Sequence, residues 1–575
     1  MLKKLLPCLG EYKKYALLTP VMVIGEVILE IFLPLIMSKI IDVGIRNGDT
    51  GYVFKMGALM VLMALLALLF GVLSGRFAAV AGMGFGKGLR KRLFDKIQEF
   101  SFSNIDKFST ASLITRVTAD VTNTQQAFMM IIRMFVRAPV MLVSATIMAI
   151  AINAKLALIF LIAIPVMGIA LYSIAAKAYP RFQAMLKKYD GMNASVQENL
   201  IAIRVVKAFV RENHEREKFI DAANAVRETQ IKAEKLLILS MPIMQLVMYG
   251  CMISISWFGG RMIIGGTLLT GELMGFISYV MQILISLMMI SFIFVMIVIS
   301  RASVLRIIEI IDEEIDIRDK VEDSGLRAEN GSIVFDNVTF SYSKSSENPT
   351  LSNISFEIKS GETIGIIGGT GSGKTSLVQL IPRLYDVTEG RVLVGGYDVR
   401  DYTLDTLRDA VAMVLQKNVL FSGTIKENLK WGNKNATDEE IEEACKAAQA
   451  HDFIVSFSEG YETFLGQGGV NVSGGQKQRL CIARALLKKP KIIILDDSTS
   501  AVDTATDSKI RQAFRDKLSD VTTIIIAQRI ASVCDADKII VMDDGKIDAI
   551  GTHEELLATN SIYREVYESQ QKGVA

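Results

Sequence analysis

The sequence predicts a polytopic α-helical membrane domain, with six helices extended into the cytosol, followed by an α/β domain. Three observations carry that reading. The chain has 575 residues, 51% of them hydrophobic, and the apolar excess lies before about residue 300; mean hydropathy is +0.36. That first half contains six stretches near the ~20 apolar residues a helix needs to cross a bilayer core. The second half alternates short apolar runs with helical patterns, as an α/β fold does.

The spans lie at about 15–37, 53–75, 129–152, 155–176, 236–258 and 272–300. The third and fourth are separated by Asn153-Ala154-Lys155, a tight turn. The long segments after the second and fourth spans are rich in Lys and Arg (Lys87, Arg90, Lys91, Arg92; Lys187, Lys188, Arg204, Lys207), whereas the other loops are short and carry few. Basic loops stay on the cytoplasmic side, so both long loops and both chain ends are expected there. The start, Met1 to Pro7, lacks the h-region and cleavage site of a removable signal peptide.

Ionisable residues inside spans are costly and count as functional candidates. Glu26 and Glu30 share one face of the first span, as Arg133 and Arg137 share one face of the third. The glutamates fit a polar cavity lining that meets a cationic or polar substrate. The arginines fit either such a lining or snorkelling to the inner interface. Methionines crowd the last two spans, which suits either adaptable ligand contacts or ordinary apolar filling.

In the second half, Thr363–Ile367 reads as a strand and Ser376–Ile381 as a helix. Between them stands Gly368-Gly369-Thr370-Gly371-Ser372-Gly373-Lys374-Thr375. This is the phosphate-binding P-loop context. The glycines let backbone N–H groups turn around phosphate oxygens, Lys374 adds a charge, and the Thr375 hydroxyl can hold Mg²⁺. A nucleoside triphosphate is expected here. Ile492–Asp497 is a buried strand ending in two carboxylates, and Asp496 is placed to hold the metal. Thr522–Ala527 is another central strand, ending at Gln528. Ser473-Gly474-Gly475-Gln476 opens a helix, and reads either as an ordinary cap or as a cradle for a phosphate held by another subunit.

A formal charge of +2 gives no reason to expect nucleic acid, and the five cysteines are scattered without metal or redox spacing.

Six spans followed by Tyr342, GGTGSGKT, Gln416, VSGGQKQR, ILDDSTSAVD and Gln528 resemble a half-transporter of the ATP-binding cassette (ABC) exporters, over essentially the whole chain. The resemblance implies a membrane domain over 1–315, a linker over 316–330 and an ABC nucleotide-binding domain over 331–575. It implies ATP and Mg²⁺ as cofactors, with Tyr342 stacking on adenine and Gly368 to Ser376 holding phosphates. Gln416 would be the Q-loop residue reaching Mg²⁺, beside Thr375 and Asp496. Ser473, Gly474, Gly475 and Gln476 would form the signature loop, and Ser500 to Asp503 the D-loop. Coupling helices are expected at about 109–118 and 201–211. The partner would be a second half-transporter in a bacterial plasma membrane, each ATP lying between one chain's P-loop and the other's signature.

Two positions depart from the family's pattern. Asp497 stands where a catalytic Glu is usual, shorter by one methylene, and displacement on the order of 1 Å can cost about 10²-fold in rate. Gln528 stands where His is usual, and an amide cannot carry imidazole's proton chemistry. Before the signature, Gly466-Gln467-Gly468-Gly469 replaces Gly-Glu-Arg-Gly and loses two charges. With an intact signature, the expectation is a heterodimer with a degenerate site on this chain, exporting amphipathic small molecules (multidrug type). A regulatory ATP-binding subunit without pumping, a slow homodimer, and lipid or peptide export are the alternatives. The lack of a leading peptidase-like domain disfavours a processing peptide exporter, and six spans exclude the soluble mechanical ATPases that share the signature.

Overall fold

The computed structural model describes residues 2–320, 325–343, 348–497, 503–517 and 520–572. It forms two units, Met1–Glu99 with Ser109–Glu313, and Phe100–Phe108 with Glu314–Ala575.

The first unit is helical. A short α1 (Leu2–Leu5) leads into α2 (Lys13–Lys39) and α3 (Thr50–Gln98). The six-residue α4 (Phe102–Lys107) groups with the second unit. Then follow α5 (Thr110–Thr115), α6 (Val121–Ile152), α7 (Ala154–Ile201), α8 (Ile203–Ala208), α9 (Glu212–Ile238), α10 (Ser240–Ile264) and α11 (Thr270–Asp312). Six helical stretches are long and apolar enough to cross a membrane, in keeping with the six expected spans. α3 has 49 residues, about 73 Å at 1.5 Å each, more than twice a ~30 Å bilayer core. The excess length includes the basic stretch with Lys87, Arg90, Lys91 and Arg92. Asn153 makes the turn between α6 and α7, its side chain accepting the Leu156 N–H at 3.1 Å.

Close packing of α3 on α6 depends on a small residue. A Cβ at Gly82 would lie 2.1 Å from Met129 Cγ. The shared core of the bundle joins Val27 and Ile31 of α2, Ala145 of α6, Phe160 of α7, Ile255 of α10 and Tyr279 of α11. Phe160 stacks on Phe276 with centroids 5.2 Å apart, and Tyr279 donates to Ile31 O at 2.6 Å. By contrast Val61, Leu65 and Leu68 of α3 are exposed, as a lipid-facing stripe should be.

Just before α6, Asp120 is 1% exposed and takes a bidentate pair from Arg306 of α11, at 2.5 and 2.7 Å. Arg116 adds Glu309 Oε2 at 2.7 Å. Residues 109–120 are therefore fastened to the membrane unit. The stretch that groups with the nucleotide unit is Phe100–Phe108, just ahead of the expected 109–118.

That short segment is held by side chains of the second unit. Ser101 caps α4 and donates to Asp316 Oδ1 at 2.5 Å; Ser103 donates to Asp316 Oδ2 at 2.6 Å. Tyr385 donates to Asp106 Oδ2 at 2.5 Å. The expected linker is partly anchored: Ile317 is buried, and Asp319 accepts the Leu404 N–H at 2.7 Å.

The second unit contains β1 (Ile333–Phe340), β2 (Leu351–Ile358), β3 (Thr363–Gly368), α12 (Lys374–Gln379), β4 (Glu389–Val394), β5 (Tyr397–Asp398), α13 (Leu404–Ala410) and β6 (Val411–Val414). Next come β7 (Gly423–Thr424), α14 (Ile425–Leu429), α15 (Asp438–Ala447), α16 (His451–Val455), β8 (Phe464–Leu465), α17 (Gly474–Leu487) and β9 (Ile492–Asp496). The fold closes with α18 (Thr504–Lys517), β10 (Thr522–Ile526), β11 (Lys538–Asp543), β12 (Lys546–Gly551), α19 (His553–Thr559) and α20 (Ser561–Lys572). One antiparallel sheet runs β2-β1-β4-β5; a mainly parallel sheet runs β12-β11-β3-β10-β9-β6, with β12 antiparallel.

All five residues of β9 are buried. Alternation sends Ile493 and Leu495 into the core with α17, and Ile492 and Ile494 into the core with the antiparallel sheet. Central parallel strands covered on both faces read as unbroken apolar runs. Register does the rest: Ile526 pairs with both Ile366 and Asp496. The carboxyl ends of β3, β10 and β9 thus lie side by side, where open α/β sheets bind ligands.

Candidate nucleotide site

The loop after β3 is shaped by glycine. Gly371 and Gly373 have φ of +87° and +91°, and a Cβ at Gly373 would sit 2.7 Å from Leu351 Cδ2. Lys374 folds over the loop, donating to the carbonyls of Gly368 and Gly369 at 2.9 and 2.7 Å. Burial lowers its pKa, opposed by Asp496 and Asp497. Those carbonyl bonds position an ammonium where phosphate oxygens would approach.

Thr375 Oγ1 donates to Asp496 Oδ1 at 3.0 Å, so the two principal metal-ligand candidates are in contact. Asp496 is 2% exposed. Burial raises its pKa, Asp497 adds to the rise, and Thr375 and Lys374 oppose it. No group of three His, Cys, Asp or Glu side chains forms a metal cage among the described residues. One carboxylate and one hydroxyl fit Mg²⁺, which keeps several waters and takes phosphate oxygens.

Asp497 has φ of +47°, rare for a non-glycine residue; its N–H is tied to Ile526 O at 3.0 Å. Its pKa is raised by burial, against hydrogen bonds from Gln416 and Gln528 and the charges of Lys374 and Arg529. Gln528 Nε2 reaches Asp497 Oδ2 at 3.0 Å. The structure therefore brings Lys374, Thr375, Gln416, Asp496, Asp497 and Gln528 into one site.

Tyr342 is half exposed, with its hydroxyl 2.9 Å from Ser376 Oγ. Phe340 and Tyr385 meet its ring edgewise, at 4.8 and 5.1 Å. Tyr385 escaped sequence reasoning, as did Gln570 of α20, whose amide donates to Gln528 O at 2.7 Å and accepts the Ile530 N–H at 2.9 Å. Neither lies in a motif; an aromatic four residues before the next strand and a polar residue on a terminal helix carry no local signal.

Ser473 is the N-cap of α17, in a reciprocal box with Gln476: Ser473 N–H to Gln476 Oε1 is 2.8 Å. Gly474 and Gly475 form the first turn, and among the described residues this loop makes no hydrogen bond to the P-loop. Asp503 caps α18 through Thr506 N and Oγ1, at 2.9 and 2.8 Å, bonds that lower its pKa. The rest of the expected D-loop, Ser500 to Val502, lies outside the described residues.

In the membrane unit Glu26 and Glu30 do not stand as free carboxylates. Arg137 binds both, through Nη1 to Glu26 and through Nη2 to Glu30 Oε1 and Oε2, at 2.9 and 2.7 Å. Glu26 is buried behind this pair, and Arg137 is a structural partner rather than a snorkelling cation.

Comparison with known proteins accords with this geometry. Residues 17–303 match the family described as the ABC transporter transmembrane region, and residues 351–500 the family described as ABC transporter. The chain is 39% identical over 569 residues to the uncharacterized ABC transporter ATP-binding protein YfiB of Bacillus subtilis, covering 99% of this chain and 98% of that one. It is 34% identical over 507 residues to an ATP-dependent lipid A-core flippase of Desulfotalea psychrophila, covering 87% of each. A solved bacterial Atm1-family ABC exporter with ATP bound superposes with a TM-score of 0.83 at 26% identity, over 98% of this chain and 99% of that one. Six membrane-spanning helices, a phosphate loop beside a strand-end carboxylate, and these likenesses establish that the chain belongs to the ABC transporter family, as a half-transporter of the exporter type that couples ATP binding and hydrolysis to transport.

Proposed function

We propose that this half-transporter works as one side of a heterodimer that exports amphipathic small molecules from a bacterial cell, with its own ATP site slow and its signature loop completing a faster site on the partner. The observation that carries this reading is the Gln528–Asp497 hydrogen bond. The two residues that replace the family's Glu and His are bonded to each other, so the short carboxylate is turned towards an amide of its own chain. Ser473, Gly474, Gly475 and Gln476 keep the cap geometry that would present N–H groups to a partner's nucleotide.

Within this reading Thr375 and Asp496 hold Mg²⁺ with help from Gln416, and Tyr342 supports adenine. α4, held by Asp316 and Tyr385, acts as a coupling helix. α8 acts as the second, and the exposed Ile201, Phe209 and Val210 at that tip suit contact with a partner chain. The basic loops favour the plasma membrane with both termini in the cytoplasm. A lipid A-core flippase among the relatives supports an amphipathic cargo.

The test is ATP turnover by the purified chain, alone and with a partner half-transporter bearing Glu and His. Slow turnover alone, and fast turnover in the pair that survives Asp497→Asn here but is lost when the partner's Glu is removed, supports the proposal. Ordinary exporter rates by the chain alone, abolished by Asp497→Asn, would overturn it.

A further inference from the structure

A cavity of about 580 Å³ opens between α2, α3, α6 and α11 of the membrane unit. Its apolar wall includes four methionines, Met37, Met60, Met141 and Met289, flexible and polarisable side chains that adapt to varied hydrocarbon shapes. Its polar wall is made of Glu30, Arg137, Ser278, Gln282 and Ser286.

The serine, glutamine and glutamate oxygens on that wall keep acceptor capacity. The Ser278 hydroxyl donates backwards to Met274 O at 3.1 Å, and Ser286 to Gln282 O at 2.7 Å. Their protons are spent within α11 and their lone pairs remain. Gln282 Oε1 is buried and makes no hydrogen bond, which is costly for a buried polar atom. Glu30 receives both of its hydrogen bonds from one Arg137 nitrogen. A carboxylate has about four acceptor positions, so Glu30 keeps room for another donor.

Charge points the same way. Arg137 serves two carboxylates, Glu26 and Glu30, so one guanidinium answers two acids. Arg133, one turn earlier on α6, lies against Gly75, its Nη1 3.7 Å from where a Cβ would be. It makes no ion pair with the trio and does not line the cavity. An unbalanced charge at membrane depth is expensive until a counter-ion arrives.

We propose that this cavity is the recognition site for a protonated amine on an amphipathic ligand, with Glu30 as its counter-ion, Gln282 and the two serines as further acceptors, and the methionines around the apolar tail. An ammonium offers three donors and no acceptor, the complement of these oxygens. Glu26 and Arg137 are positioning residues that fix the Glu30 carboxylate. The inference rests on the reading of the membrane unit as an export pathway.

The test uses the full chain in nanodiscs, with its partner where one copurifies, and three fluorescent probes differing only at one end. These are dansylcadaverine, its neutral N-acetyl form, and a dansyl carboxylate of matched length, each corrected for binding to empty nanodiscs. The amine is expected to bind about tenfold or more tighter than the neutral form. Glu30→Gln should abolish that preference, and Gln282→Leu should reduce it. Should Glu30→Gln fail to fold, Gln282→Leu, which leaves the ion trio intact, decides the matter. Equal binding of the three probes, preference for the carboxylate, or a preference unchanged by these substitutions would overturn the assignment. ATP-driven dye export without amine preference would sink this inference and leave the exporter reading standing; amine binding without export would do the reverse.

Discussion

Gln528 Nε2 lies 3.0 Å from Asp497 Oδ2, so the two departures from the family's catalytic pair form one unit. Such a pair should not be repaired one residue at a time. Asp497→Glu alone extends the carboxylate into the amide, and Gln528→His alone leaves the acid short. The double change is expected to raise ATP turnover at this chain's own site by about 10- to 100-fold, more than the two single changes combined. Turnover in a pair whose partner site has been inactivated measures it directly.

Asp496 and Asp497 both have pKa values raised by burial. In the range above the ordinary carboxylate pKa the folded state then binds more protons than the unfolded one. Stability of the nucleotide-free chain should therefore fall as pH rises through the raised values. Asp496→Asn removes one of these charges. It should raise the nucleotide-free melting temperature at neutral pH and flatten its pH dependence, while abolishing the further rise that MgATP gives. Thermal melts across pH 4 to 8, with and without MgATP, check each part.

The contact between Tyr385 and Asp106 gives a third prediction. Tyr385→Phe keeps the edgewise ring contacts to Phe102 and Tyr342 and removes only the 2.5 Å hydrogen bond to Asp106. A hydrogen bond to a charged group is worth about 1.5–3 kcal/mol, so α4 should open more often. Hydrogen exchange over residues 102–107 should accelerate about tenfold or more, and substrate stimulation of ATPase should drop while ATP affinity holds.

Removing Arg306 strands a buried acid. Arg306→Ala leaves Asp120 without its bidentate partner and should cost about 2 kcal/mol or more. Adding Asp120→Asn should recover part of that loss, since the amide does not need a counter-charge. Denaturation of the detergent-solubilised chain reads both.

Local pattern was enough for much of this molecule. Unbroken apolar runs announced the spans and the central strands, and the glycine spacing announced the phosphate loop. What stayed hidden depends on partners distant in sequence. Arg137 meets Glu26 and Glu30 only because α2 and α6 pack together, and Gln528 is held by Gln570 of α20. α4 has six residues, too few to show a helical period, and the expectation of a coupling helix at 109–118 came from the family resemblance rather than from local pattern. The contact of Asp497 with Gln528 was likewise invisible, although each residue was conspicuous alone.

The register of the central sheet also imposes an order on biogenesis. Thr363 of the strand leading into the phosphate loop pairs with Thr523, and the segment after that partner strand is braced by Gln570. The phosphate loop is thus supported by chain made after it, by the strand that carries Thr523 and by the α20 side chain, and a nascent domain that stops short of them lacks that support.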